Sequence, residues 1–278
     1  MACTDTDNPA PEITLPEAAR LPINHCSLPA AVLGGLEYQR HPIPLPLDGV
    51  EELHAQLFRR LREHDATEER ARQFTAYMSA CFSLEHPEEA GLSGRKRKHA
   101  TYLRTLRGWS FDPDGREAAA LKGWVESRFG LTARHHAAAL RGEEEDAYHF
   151  YARARAAGLY GTNALEAQLD LLYAYAQYEL ACRHPGKTHL RLYRGVSRVE
   201  EHEVLERRGK RRAVLLLNNL NSFTATRERA DEFGDYILSA EVPLAKIVFG
   251  SDLLPGRLQG EDEYMVLGGL YEVELAWF

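Results

Sequence analysis

Residues 184–196 read His184-Pro185-Gly186-Lys187-Thr188-His189-Leu190-Arg191-Leu192-Tyr193-Arg194-Gly195-Val196, and the chain changes character inside them. Pro185-Gly186 ends a helix, because proline lacks an amide donor and glycine admits left-handed backbone. Ahead of this point apolar residues recur at helical spacing. Behind it, short apolar segments alternate with turn residues. The segments 190–196, 213–217, 236–242, 246–249 and 264–275 read as strands, with helical inserts expected at 199–208 and 227–233. Helices first and strands afterwards, with few βαβ alternations, predict an α+β fold: a helical N-terminal half followed by a β-rich core of mixed strands.

Backwards from that junction, the strongest helix covers 164–182, with Leu165, Leu169, Leu172, Tyr173, Ala176 and Leu180 on its stripe. Thr162-Asn163 is placed to cap it, and Tyr173, Tyr175 and Tyr178 are expected in core and rim packing. Two further helices are expected at 115–140 and 143–157, separated near Gly130 and Gly142. The acidic run Glu143–Asp146 sits where the second should begin, complementing its dipole. Phe74, Tyr77, Met78, Cys81 and Phe82 form another stripe, and Leu53, Leu57 and Leu61 a third. Pro42, Pro44 and Pro46 exclude a helix just before Asp48-Gly49. Pro9, Pro11 and Pro16 among acidic and small residues predict a flexible arm. The organisation expected is an arm over 1–20, a helical region over 21–186 and a β-rich core over 187–278, the last two packed as one unit.

Composition narrows the function classes. The 278 residues are 44% hydrophobic and 27% charged, ample for a large core. No apolar run approaches the roughly 18–20 residues that span a bilayer, and the polar, acidic start is unlike a secretory signal. A net charge of -7 and a pI of about 6.0 argue against phosphate neutralisation as the main activity. No membrane and no nucleic-acid partner is expected. Cys3, Cys26, Cys81 and Cys182 are spread out, which suggests a reduced, cytoplasmic protein rather than a disulfide scaffold. The 12 histidines show no ligand spacing; His135-His136, on a helix, would point about 100° apart. No metal is expected. The runs Arg95–Lys98 and Arg207–Arg212 read first as solvated faces, then as docking surfaces for an acidic protein or a nucleotide phosphate, and last as a local nucleic-acid patch.

Three pieces of the β-rich half carry chemistry. In Leu192-Tyr193-Arg194-Gly195-Val196, an arginine at a strand end offers a planar donor fork, and the glycine lets a ligand approach the backbone. Asn221-Ser222-Phe223-Thr224-Ala225-Thr226 is a hydroxyl-rich strand, with Ala230 and Phe233 following on a short helix. In Gln259-Gly260-Glu261-Asp262-Glu263-Tyr264, two glutamates two apart lead into an apolar strand and share one face. Paired carboxylates beside hydroxyls and a phosphate-binding arginine suggest chemistry on a ribose next to a pyrophosphate.

Their order and spacing resemble the arginine–serine–glutamate class of ADP-ribosyltransferases. The opening Asn24-His25-Cys26-Ser27-Leu28-Pro29-Ala30, with Leu33-Gly34 and Gln39-Arg40-His41-Pro42 after it, is similar to the bacterial NAD–dinitrogenase-reductase ADP-ribosyltransferases. That resemblance implies NAD as a donor substrate consumed in the reaction and no metal. It also implies an arginine of the nitrogenase Fe protein as acceptor, nitrogenase inactivation as outcome and a PII-type nitrogen-signalling protein as regulator. Carried over residue by residue, Arg194 and Gly195 contact NAD, and Glu263 is the catalytic glutamate. Glu261 is the glutamate that goes with an arginine acceptor. Counting back from Ala230 and Phe233 makes Ser222 and Thr224 the hydroxyl pair; counting forward from Phe223 makes it Thr224 and Thr226. Phe233 completes the NAD-binding set. Two other readings stay open: an NAD glycohydrolase with water as acceptor, and an inactive module that binds NAD or protein.

Overall fold

The computed structural model describes residues 13–85, 101–140, 145–199, 202–258 and 262–277. Its helices are α1 (Ala30–Leu33), α2 (Leu36–Arg40), α3 (Val50–Leu53), α4 (Ala55–Leu61), α5 (Thr67–Cys81), α6 (Tyr102–Phe111), α7 (Arg116–Phe129), α8 (Glu145–Leu159), α9 (Leu165–Arg183) and α10 (Arg227–Asp231). Its strands are the short pair β1 (His135–His136) and β2 (Ala138–Ala139), then β3 (His189–Val196), β4 (Glu203–Arg208), β5 (Arg212–Thr224), β6 (Tyr236–Pro243), β7 (Ile247–Gly250) and β8 (Glu263–Trp277). The α+β division falls where Pro185-Gly186 places it.

Strands β3 to β8 form a six-stranded sheet in the order β4-β5-β3-β6-β8-β7, with β5 also paired to β8. That extra pairing joins β5, β3, β6 and β8 into a ring. Each pairing is antiparallel, where mixed strands were expected. The expected strand at 213–217 and the hydroxyl-rich strand are one element, β5, interrupted by a bulge between Leu217 and Leu220.

Where β6 and β8 part beyond Ser239↔Glu274, buried Gln39 of α2 fills the gap. Its amide donates to the carbonyls of Glu241 (3.3 Å) and Glu272 (3.1 Å) and accepts from the Glu272 N–H (2.8 Å). The Tyr173 hydroxyl of α9 reaches the carbonyls of Leu45 (3.0 Å) and Ala245 (2.8 Å). Helical and β-rich residues share one apolar core, which includes Phe74, Trp124, Leu172, Leu215, Ile247 and Tyr271. Tyr173 and Tyr175 are buried and Tyr178 packs at the rim, as the stripe on α9 predicts. Leu15 and Ala19, in the stretch expected to be an arm, are buried in that core as well.

Several local expectations are corrected. Residues 203–208 form strand β4 rather than a helix: Gly209 takes φ 73° and closes a hairpin in which Arg208 faces Arg212. Much of the basic run 207–212 is therefore that hairpin's tip. The helix expected to reach residue 140 stops at Phe129, because Gly130 takes the left-handed C-cap conformation with φ 71°. His135 and His136 lie in the β1–β2 hairpin instead. The cap of α9 is Ala164, not Thr162-Asn163; Thr162 Oγ1 and Asn163 Nδ2 instead donate to the carbonyls of Leu159 and Phe82. Leu53 is 78% exposed, because the helix breaks at His54 and the leucine stripe loses phase there. The run 95–98, Cys3 and the first residues of the acidic run 143–146 lie outside the described residues.

Candidate active site

Three neighbouring strands deliver the motif residues. β3 meets β5 at Tyr193↔Thr224, and β5 meets β8 at Ser222↔Met265 and Thr224↔Glu263. Arg194 Nη1 donates to the Ser222 carbonyl at 2.8 Å, so the arginine also ties β3 to β5. Glu263 opens β8, and its N–H donates to Ser251 Oγ at 3.2 Å.

The Glu263 carboxylate is held by three side chains from two parts of the chain. Ser222 Oγ donates to Oε1 at 2.5 Å. Trp109 Nε1, from α6, lies 2.9 Å from the same oxygen and 3.0 Å from Ser222 Oγ, so its one proton is shared between them. Ser110 Oγ donates to Oε2. Charge-assisted bonds of this kind are the stronger ones and hold a carboxylate in place.

Glu263 opens onto a cleft of about 740 Å³, within the roughly 300–1,000 Å³ range of small-molecule sites. One wall is the sheet, with Arg194, Gly195, Ser222 and Thr224, and Phe233 adds to it from the turn after α10. Thr224 is buried, and its Oγ1 accepts from the Thr226 N–H at 3.3 Å. Phe233 is 57% exposed, and the Arg229 guanidinium sits 5.4 Å from its ring centroid. Gly195 does more than leave room for a ligand. A Cβ there would meet the Ala230 carbonyl oxygen at 2.0 Å, so glycine is what lets α10 pack on β3. Glu261 lies outside the described residues.

The opposite wall comes from the helical half. Lys122 of α7 is only 2% exposed, and its Nζ donates to the carbonyls of Pro113 (2.8 Å) and His135 (3.0 Å) and to Asp114 Oδ1 (3.2 Å). Burial lowers the Lys122 pKa against the pull of Asp114. Burial opposes the ionised Asp114, but the backbone of Ala137 and Lys122 outweigh it and hold its carboxyl below the usual range. His136 is pushed down to about 4 by burial and by Lys122. His202, also on the cleft, is pushed down to about 3 by burial and by Arg194, so it stays neutral. The bulge of β5 holds this wall: Asn218 pairs with the backbone of Arg134 and His135, and Asn219 Nδ2 donates to the carbonyls of Lys122 and Leu131.

The structure thus brings together Arg194, Gly195, Ser222, Thr224, Phe233 and Glu263. Sequence reading missed Trp109 and Ser110. Trp109 falls at helical spacing with buried Tyr102 and Leu106, a pattern that reads as core; no local signal marks its N–H as aimed at a glutamate. Among the described residues no three His, Cys, Asp or Glu side chains converge as a metal site, and no helix is long and apolar enough to cross a membrane.

Arg194, Ser222 and Glu263, the residues singled out by the resemblance to ADP-ribosyltransferases, thus lie on three neighbouring antiparallel strands around one cleft of small-molecule size. The family model for dinitrogenase reductase ADP-ribosyltransferase matches residues 23–275, and the chain belongs to that family. It is 38% identical over 260 residues to the NAD(+)--dinitrogen-reductase ADP-D-ribosyltransferase of Rhodospirillum rubrum, covering 91% of this chain and 94% of that protein. No solved structure shows a significant match.

Proposed function

We propose that this chain transfers ADP-ribose from NAD to an arginine of dinitrogenase reductase, the nitrogenase Fe protein, and thereby inactivates it. The observation that carries the reading is the Ser222–Glu263 pair, 2.5 Å apart, at the end of a cleft that also holds Arg194. Cleavage of the nicotinamide–ribose bond builds positive charge on the ribose. Glu263, fixed beside the ribose hydroxyls, stabilises that charge more than it stabilises the ground state. Glycosidases use carboxylates against the same kind of charge. Ser222 orients the carboxylate. Arg194 supplies a donor fork for the pyrophosphate, and Phe233 an aromatic face for a ring. Ser222 and Thr224 serve as the hydroxyl pair, both lining the cleft. The acceptor guanidinium is protonated at pH 7 and a poor nucleophile. Glu261, two residues before Glu263, is assigned to hold it and take its proton. A cytoplasmic setting, expected from the spread-out cysteines, and a PII-type regulator, implied by the family resemblance, accompany this reading.

The test is incubation with labelled NAD and purified dinitrogenase reductase, followed by mass spectrometry of the labelled band. Label on an arginine is expected. Nicotinamide release without label would make the protein a glycohydrolase, and no turnover would overturn the reading.

Arg194→Ala is expected to weaken NAD binding by about 1.5–3 kcal/mol, the range for a hydrogen bond to a charged group. Calorimetry on a variant whose melting curve shows a folded chain checks it; unchanged affinity would remove Arg194 from the binding set. Arg207, Lys210 and Arg211 are exposed at the hairpin tip, and Arg208 and Arg212 beside them pair with Glu272. Neutralising those three exposed residues should slow modification of the protein target at low salt while NAD hydrolysis stays constant, because rim charges act on association rate. An unchanged rate and salt slope would mark the tip as a solvated turn.

A further inference from the structure

We propose that Trp109 is a positioning residue for Glu263, and that α6 thereby leaves Oε2 as the carboxylate oxygen that meets substrate; this rests on the role given to Glu263 above. A carboxylate offers about four acceptor positions, two on each oxygen. Oε1 receives the Ser222 hydroxyl and a share of the Trp109 N–H, whose other acceptor is Ser222 Oγ, so both of its positions are engaged. Oε2 receives the Ser110 hydroxyl, so one position is left for a ribose hydroxyl. The Ser110 proton also has a second acceptor, the Leu106 carbonyl one turn back at 3.3 Å. Ser110 can therefore yield its place on Oε2 without losing all hydrogen bonding.

Trp109 suits the task. Its indole has one donor and no acceptor, so it can only donate to the carboxylate. It is 3% exposed, and Lys122 Nζ sits 5.9 Å from its ring centroid. That lysine is anchored in turn by Pro113, Asp114 and His135. The helical half thus fixes the rotation of a carboxylate that belongs to the sheet, and catalytic groups work only when so fixed. The charged groups sharing the cleft with Glu263 are Arg194 of β3, Lys122 of α7, Asp114 before α7, Arg134 before β1, Glu203 of β4, Arg229 of α10 and the adjoining Asp262; His135 and His202 line it as well. All of them remain in the variants below.

Trp109→Phe keeps the aromatic bulk and removes the donor. The expected result is a fall in kcat for nicotinamide release of about tenfold or more, with KM for NAD changed by less than about twofold. A side chain that merely fills space would instead move KM and kcat together. A parallel change in KM and kcat would show simple packing and overturn the proposal, as would no change at all. If Trp109→Phe fails to fold, benzothienylalanine at position 109, which puts sulfur where the N–H stood, gives the same measurement with the shape kept. If the unaltered protein releases no nicotinamide, the functional reading is what fails. The positioning role is then decided by crystal structures of both forms: a rotated Glu263 carboxylate in the variant supports it, and an unmoved one overturns it.

Discussion

Glu263→Gln is expected to lower NAD hydrolysis and transfer to protein together, each by about 10²–10³-fold, equivalent to roughly 3–4 kcal/mol of transition-state stabilisation. The substitution keeps the size of the side chain and a single acceptor oxygen but removes the charge. It also turns one carboxylate oxygen into an NH₂ donor, which must face Ser110 on one side or Ser222 and Trp109 on the other. Both losses fall on the step common to every acceptor. Glu261→Gln should behave differently, because its assigned work is confined to the guanidinium. Protein labelling should be lost while slow release of nicotinamide to water persists. Nicotinamide release and protein labelling, measured side by side at saturating NAD, separate the two. Retained hydrolysis in Glu263→Gln would sink the assignment, and so would full protein labelling in Glu261→Gln.

A second large effect is expected at a pair that does not line the cleft. Arg70 of α5 donates through Nε and Nη2 to the two carboxylate oxygens of Glu179 on α9, at 2.7 and 2.9 Å, and both residues are buried. Thr67 and Arg183 also donate to Glu179, and Arg183 continues to Asp252 at 2.6 Å. Asp252 is next to Ser251, whose hydroxyl receives the N–H of Glu263. Arg70→Met leaves a buried carboxylate short of two donors, which costs about 3–5 kcal/mol and should lower Tm by on the order of 10 °C. The effect depends on pH with a definite sign. Burial pushes the Glu179 pKa up, but the donors from Arg70, Arg183 and Thr67 outweigh it and leave it lowered. A lowered folded-state pKa stabilises above the unfolded value of about 4.3 and loses that contribution as pH falls through the folded value. The gap in stability between the native chain and Arg70→Met should therefore be full at neutral pH and shrink on acidification below about pH 4. Denaturant melts across pH 3–7 check this; a gap independent of pH would mean that the pair adds packing rather than charge.

The division of the chain into helices and then strands is legible in the residues themselves, because apolar period and turn chemistry are local properties. Leu165 to Leu180 announce α9, and Pro185-Gly186 announces its end. Arg194, Ser222 and Glu263 could be picked out for the same reason: each lies at or near a strand terminus, where a functional side chain can face a cleft. Residues 203–208 were harder, since a short edge strand next to a charged turn lacks a clear alternation. His135-His136 were misplaced because Gly130, permitted inside a long helical pattern, in fact ends it.

Other features of the site depend on contacts between parts of the chain remote in sequence. Trp109 and Ser110 meet Glu263 across separations of 154 and 153 residues. No periodicity within α6 encodes which atom its indole proton will face. Gly195 stands beside a strand-end arginine and so suggested room for a ligand; only the folded chain puts the Ala230 carbonyl where a Cβ would go. Lys122 resembles any helix lysine until its three protons are taken up by Pro113, Asp114 and His135. Local pattern fixes which face of an element is apolar, but the direction and saturation of a buried hydrogen bond are set by the partner's position, which exists only once the two halves have packed.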